Sequence, residues 1–109
     1  MNLRSPRSRS RQSPTGALDY EIAQEQAAAL GRLGRALEAA LAALADYDRV
    51  HEKTPVSSAM RERLVRQSGY ALWCFIIQRE ACGLRDQRLI MRDYRVSREV
   101  QNRMGVFDR

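Results

Sequence analysis

Histidine occurs once in this chain and cysteine twice, and both scarcities exclude chemistry. His51, with only Asp48 and Glu52 beside it, cannot complete a metal site of ordinary ligand number. No nucleophile neighbours it, so acid–base catalysis lacks a partner; near a helix C-terminus it suits a cationic role. Cys74 and Cys82 fall on one expected helix about 12 Å apart, too far for a bridge within it. Cys74 is expected as an inert packed residue. Cys82 lies between Arg79 and Arg85, which favour a thiolate, but at a helix C-terminus, which disfavours one. The residues point to no catalytic group, cofactor or metal.

Aromatic residues make up only 6% of the 109 residues, and much of the apolar content is alanine. A domain of some ninety residues buries only about 60–65% of its unfolded surface, so self-association is a reasonable supplement. No segment alternates with period two long enough to suggest a strand, and there is no internal repeat. No apolar stretch follows the charged N-terminus, so no signal peptide is expected. The longest apolar run, Gly69–Ile77 (GYALWCFII), is too short to span a bilayer and ends at Gln78, Arg79 and Glu80. A cytoplasmic protein is the expectation.

That run is also the most informative feature present. Apolar all the way round, it must be covered on every side, either by the other helices or by a second copy. Trp73, with Tyr70 and Phe75, could line a slot between helices, though aromatics at helical spacing are more often core.

The net charge of +6 is unevenly spread. Residues 1–16 hold Arg4, Arg7, Arg9 and Arg11 and no acid; residues 17–52 hold seven acids and three bases; residues 54–109 hold eleven arginines and six acids. The halves can satisfy each other, which weakens a nucleic-acid reading based on charge alone. Residues 1–16, rich in Arg, Ser and Pro, are expected to be a disordered tail. Its four arginines could contact phosphates, weakly and without reading sequence.

Beyond the tail the periodicity predicts a single all-α domain, residues 17–109. A stripe of Leu18, Ile22, Ala29, Leu30, Leu33, Leu37, Leu41, Leu44 and Tyr47 advances in helical steps, interrupted only at Gln26, and predicts a helix over about 17–52. Asp19, Glu21 and Glu25 in its early turns would complement the helix dipole. Gly31 and Gly34 suggest close approach of another backbone. Thr54-Pro55 ends this helix, and Ser57 or Ser58 caps a second over about 58–82, with Gly83 as stop. Two short helices follow, Asp86–Tyr94 and Arg98–Met104. The result is a long helical hairpin with two short C-terminal helices, the first arm overhanging the second. Ion pairs Arg79/Asp86, Glu80/Arg85, Arg88/Asp93 and Arg92/Glu99 are expected to tie the short helices down.

Tyr94, Val96, Ser97 and Arg98 match, in order, the turn of a helix-turn-helix. Arg95 replaces the turn glycine, Ile90 occupies a position needing a small residue, and the apolar Val100 and Met104 are one residue out of phase. A Ser-capped terminal helix docked on the core is the preferred reading.

The strings LWCFIIQREACGLRD and MRDYRVSREVQNRMG, with LDYEIAQEQAAALGRLGRALEAAL upstream, resemble a family of short proteobacterial proteins of unknown function, over about Leu18 to Gly105. The resemblance implies a small helical cytoplasmic protein and assigns no functional residue. The preferred expectation is a non-enzymatic helical interaction or adaptor module, a homodimer or the partner of another helical protein. Its interface is expected to draw on Leu30, Leu33, Leu37, Leu41, Tyr70, Trp73 and Ile77. The alternative is a nucleic-acid-associated protein using the Arg-rich tail and C-terminal half.

Overall fold

The computed structural model describes residues 14–52 and 58–105, which form four α-helices and no strand. Helix α1 (Pro14–Val50) runs 37 residues without a break, about 55 Å. Proline suits a first turn because its missing N–H would be unpaired there anyway. The first turn holds no acid, so Asp19, Glu21 and Glu25 sit beyond the reach of the helix dipole, contrary to the expectation from sequence. The Thr54-Pro55 stop and the tail arginines lie outside the described residues.

Helix α2 (Ala59–Ala81) is capped by Ser58, whose Oγ accepts the Arg61 N–H at 3.0 Å. It ends in a Schellman turn. The Leu84 N–H donates to the Arg79 carbonyl at 2.8 Å and the Gly83 N–H to that of Glu80 at 3.0 Å, with Gly83 at φ +87°. Helix α3 (Gln87–Asp93) is capped by Asp86 and α4 (Arg98–Arg103) by Ser97. A second Schellman turn joins them, and there Arg95 adopts the left-handed conformation at φ +53°.

The helices α1 and α2 form an antiparallel pair, and α4 packs across α2. Leu37 and Leu44 of α1 meet Val65, Leu72, Phe75 and Ile76 of α2, with Ile90, Val96 and Val100 closing the core from the C-terminal segment. Phe75 and Tyr94 meet edge to face at 5.6 Å. At the hairpin mouth the Tyr47 and Ser58 hydroxyls are 2.5 Å apart. Two glycines permit close approach. A β-carbon on Gly34 would lie 3.5 Å from the Phe75 ring and 3.1 Å from the Tyr94 hydroxyl; one on Gly69 would lie 2.9 Å from the Arg103 carbonyl oxygen. The nearest atoms to Gly31 belong to its own helix's Arg35, and those nearest Gly34 are side chains, the Phe75 ring and the Tyr94 hydroxyl, so the expected approach of another backbone is found at neither; it occurs instead at Gly69.

Candidate interaction surface

The apolar segment of α2 is not covered on every side. Its inner face, Gly69, Leu72, Phe75 and Ile76, is buried. Its outer face carries Tyr70, Trp73 and Ile77, which are 54%, 37% and 46% exposed. Steps of three and four residues place these on one stripe. Cys74 stands among them, half-buried rather than packed in the core, and a hydrogen bond with it raises the Tyr70 phenol pKa above its ordinary value. Gly105 lies against the Trp73 indole, its β-position 3.5 Å from the ring. Phe75 points into the core on the opposite face, so no slot forms between it, Tyr70 and Trp73.

The second exposed region is the N-terminal part of α1. Leu18 and Ile22 are 55% and 48% exposed, and nearly every residue from Thr15 to Ala28 is open to solvent. Register explains why. Gly34 stands against Phe75 and Asp48 against Arg61, so the end of α2 at Ala81 falls level with Ala28. Residues 14–27 of α1, about 21 Å, run past the end of their partner.

Of the residues expected to form an interface, Tyr70, Trp73 and Ile77 are on the surface. Leu37 is fully buried in the chain's own core and leaves that set. Leu30, Leu33 and Leu41 pack against the core while partly exposed. Leu18 and Ile22 join the candidates. Arg4, Arg7, Arg9 and Arg11 lie outside the described residues.

A polar joint fixes the body beneath these surfaces. The Arg61 guanidinium donates to Asp48 of α1 at 2.7 and 3.1 Å and to Glu99 of α4 at 2.8 and 3.0 Å. These bonds hold both carboxyl groups below their usual pKa range and raise that of Arg61. Arg103 pairs with Glu62 beside them. The pairing differs from the sequence expectation: Glu99 bonds Arg61 rather than Arg92, Arg92 meets Asp93, and Glu80 accepts from Gln87. The expected pairs join residues close in sequence, whereas those made by Arg61 and Arg103 span 13, 38 and 41 positions. Such contacts could be found only once the hairpin register was known.

His51 stacks on Tyr47 at 4.1 Å, and its Nδ1 lies 2.9 Å from the Tyr47 carbonyl, which it reaches by donating. The Cys82 sulfur accepts from Gln78 at 3.7 Å. Among the described residues no group of three His, Cys, Asp or Glu side chains could hold a metal. No helix there is long and apolar enough to cross a membrane.

The C-terminal turn keeps Val96 and Val100 buried and Ser97 as a cap. Glu99 and Arg103 are tied to α2, so α4 docks on the hairpin instead of projecting from it.

A family model covers residues 7–109, including all four helices. The chain belongs to DUF6665, a family of unknown function. No curated protein and no solved structure matches it. The DUF6665 match runs through both exposed regions, α1 before Ala28 and the outer face of α2.

Proposed function

We propose that this DUF6665 chain is a non-enzymatic helical interaction module that self-associates. The observation that carries the reading is the outer stripe of Tyr70, Trp73 and Ile77 on a helix whose other face is already packed. Aromatic residues at the centre of an exposed apolar patch characterise association surfaces. The small core supports the same reading, since only nine hydrophobic side chains among the described residues are buried and burial by a second molecule adds to a marginal fold. Light scattering across a concentration series tests it. A mass above that of one chain is expected, and a strict single-chain mass at tens of micromolar ends the self-associating reading.

A nucleic-acid-associated role is the second reading. It rests on exposed Arg85, Arg88, Arg92, Arg95 and Arg98, in α3, at the start of α4 and in the turns before each. Asp86, Asp93 and Glu99 interrupt that row, which lowers its field toward phosphates. Salt-dependent binding to duplex DNA or RNA would favour it.

A further inference from the structure

We propose that two copies associate about a two-fold axis, the α1 extension of each lying along the Tyr70–Trp73–Ile77 stripe of the other. This inference rests on the self-associating reading and names its surfaces.

Register supplies the first argument. Measured from the level shared by Ala28 and Ala81, Leu18 and Ile22 lie ten and six residues beyond the end of α2. On the other side of the same level, Tyr70, Trp73 and Ile77 lie eleven, eight and four residues back along α2. In rise, these are spans of roughly 6–16 Å on either side. A two-fold axis crossing the molecule near the end of α2 therefore exchanges the two regions. The partner's α2 then lies beside each extension, in the place that the chain's own α2 is too short to reach. The contact is isologous and closes at two copies.

Charge supplies the second. Residues 14–31 contain Asp19, Glu21 and Glu25 and no base. Residues 59–105, which carry the stripe, hold ten arginines against five acids. An acidic helix bearing an apolar edge meets an apolar stripe set in a basic body, and the complementarity sets the orientation. The three acids lie outside the first turn, so the helix dipole does not account for them. Among the described residues Arg32 reaches Glu25 at 3.4 Å with both side chains largely in solvent, a weak pairing.

The test is sedimentation velocity on the full chain, with far-UV helicity as the control for folding. One variant, Leu18→Glu with Ile22→Glu, spoils the extension; another, Ile77→Glu, spoils the stripe and leaves the Trp73–Gly105 contact in place. All three sites are exposed in the single chain. The unaltered protein is expected to sediment as a dimer, and each variant alone to dissociate about a hundredfold or more readily, because each introduces carboxylates into both halves of the contact. An equimolar mixture of the two variants is expected to associate more strongly than either variant alone but less than the unaltered protein, since one of its two contacts joins the stripe variant's intact extension to the extension variant's intact stripe while the other joins the two altered surfaces. A mixture as monomeric as its components overturns the reciprocal pairing. A dimer indifferent to the extension variant overturns it too, while leaving self-association through another face. A monomeric unaltered protein overturns both.

Discussion

Gly69 of α2 lies against the main chain of Arg103 in α4, so close that a β-carbon on Gly69 would stand 2.9 Å from the Arg103 carbonyl oxygen. The neighbour is backbone and cannot rotate away. Replacing Gly by Ala inside a helix ordinarily gains about 1 kcal/mol, but forcing two packed segments apart costs about 1–3 kcal/mol. Gly69→Ala is expected to be net destabilising by about 1 kcal/mol, read as a lower urea midpoint.

Gly31 is the contrasting case. A β-carbon there would meet only the far end of Arg35, 3.2 Å away. That side chain is flexible and exposed, so the propensity gain survives. Gly31→Ala is expected to raise stability by about 0.5–1 kcal/mol in the same denaturation assay.

Ser68 is fully buried, and its Oγ has no hydrogen-bond partner among the described residues. A buried hydroxyl left unpaired costs about 1–3 kcal/mol, and alanine is the better helix former. Ser68→Ala is expected to stabilise the fold by about 1 kcal/mol, seen as a higher melting temperature.

Arg61 bonds Asp48 through Nε and Nη2 and Glu99 through Nη1 and Nη2. A lysine ammonium cannot present two forks at once. Both acids are partly solvated, so screening discounts the joint. Arg61→Lys is expected to lose about 1 kcal/mol, and Arg61→Ala at least as much, by urea unfolding.

The same joint sets an acid limit. Asp48 and Glu99 have pKa values lowered chiefly by their hydrogen bonds from Arg61. The folded state therefore binds fewer protons than the unfolded chain as pH falls through the carboxylate range. The stabilisation is fully present above the unfolded values, about pH 4, and is lost as pH drops through the lower folded ones. Thermal melting between about pH 5 and 2 is expected to show this decline, and Arg61→Ala to make it shallower.

Much of the architecture was legible in the sequence because its signals are local. Ser58 and Ser97 cap, Gly83 stops, and the apolar period of α1 runs on past its one break at Gln26, so the four helices emerge from neighbours a few residues apart. What was not legible depends on register. Whether Tyr70, Trp73 and Ile77 were covered, and whether Leu37 faced inward or outward, turned on which level of α1 meets which level of α2. The segment joining them does not encode that level in any short-range pattern. For the same reason the sequence suggests ion pairs only among near neighbours, while Arg61 finds partners on α1 and α4. Cys74 is half-buried and not core, because an apolar run does not show which of its sides stays open.

Arg61 also makes distant parts of the chain answer to one another. Asp48 and Glu99 are like charges on helices at opposite ends of the sequence, held together by one shared cation. If that cation is removed, their mutual repulsion is unmasked. If one acid is removed, the other inherits the whole guanidinium. The three helices thus meet at a hub, and a change made in the first is felt in the last.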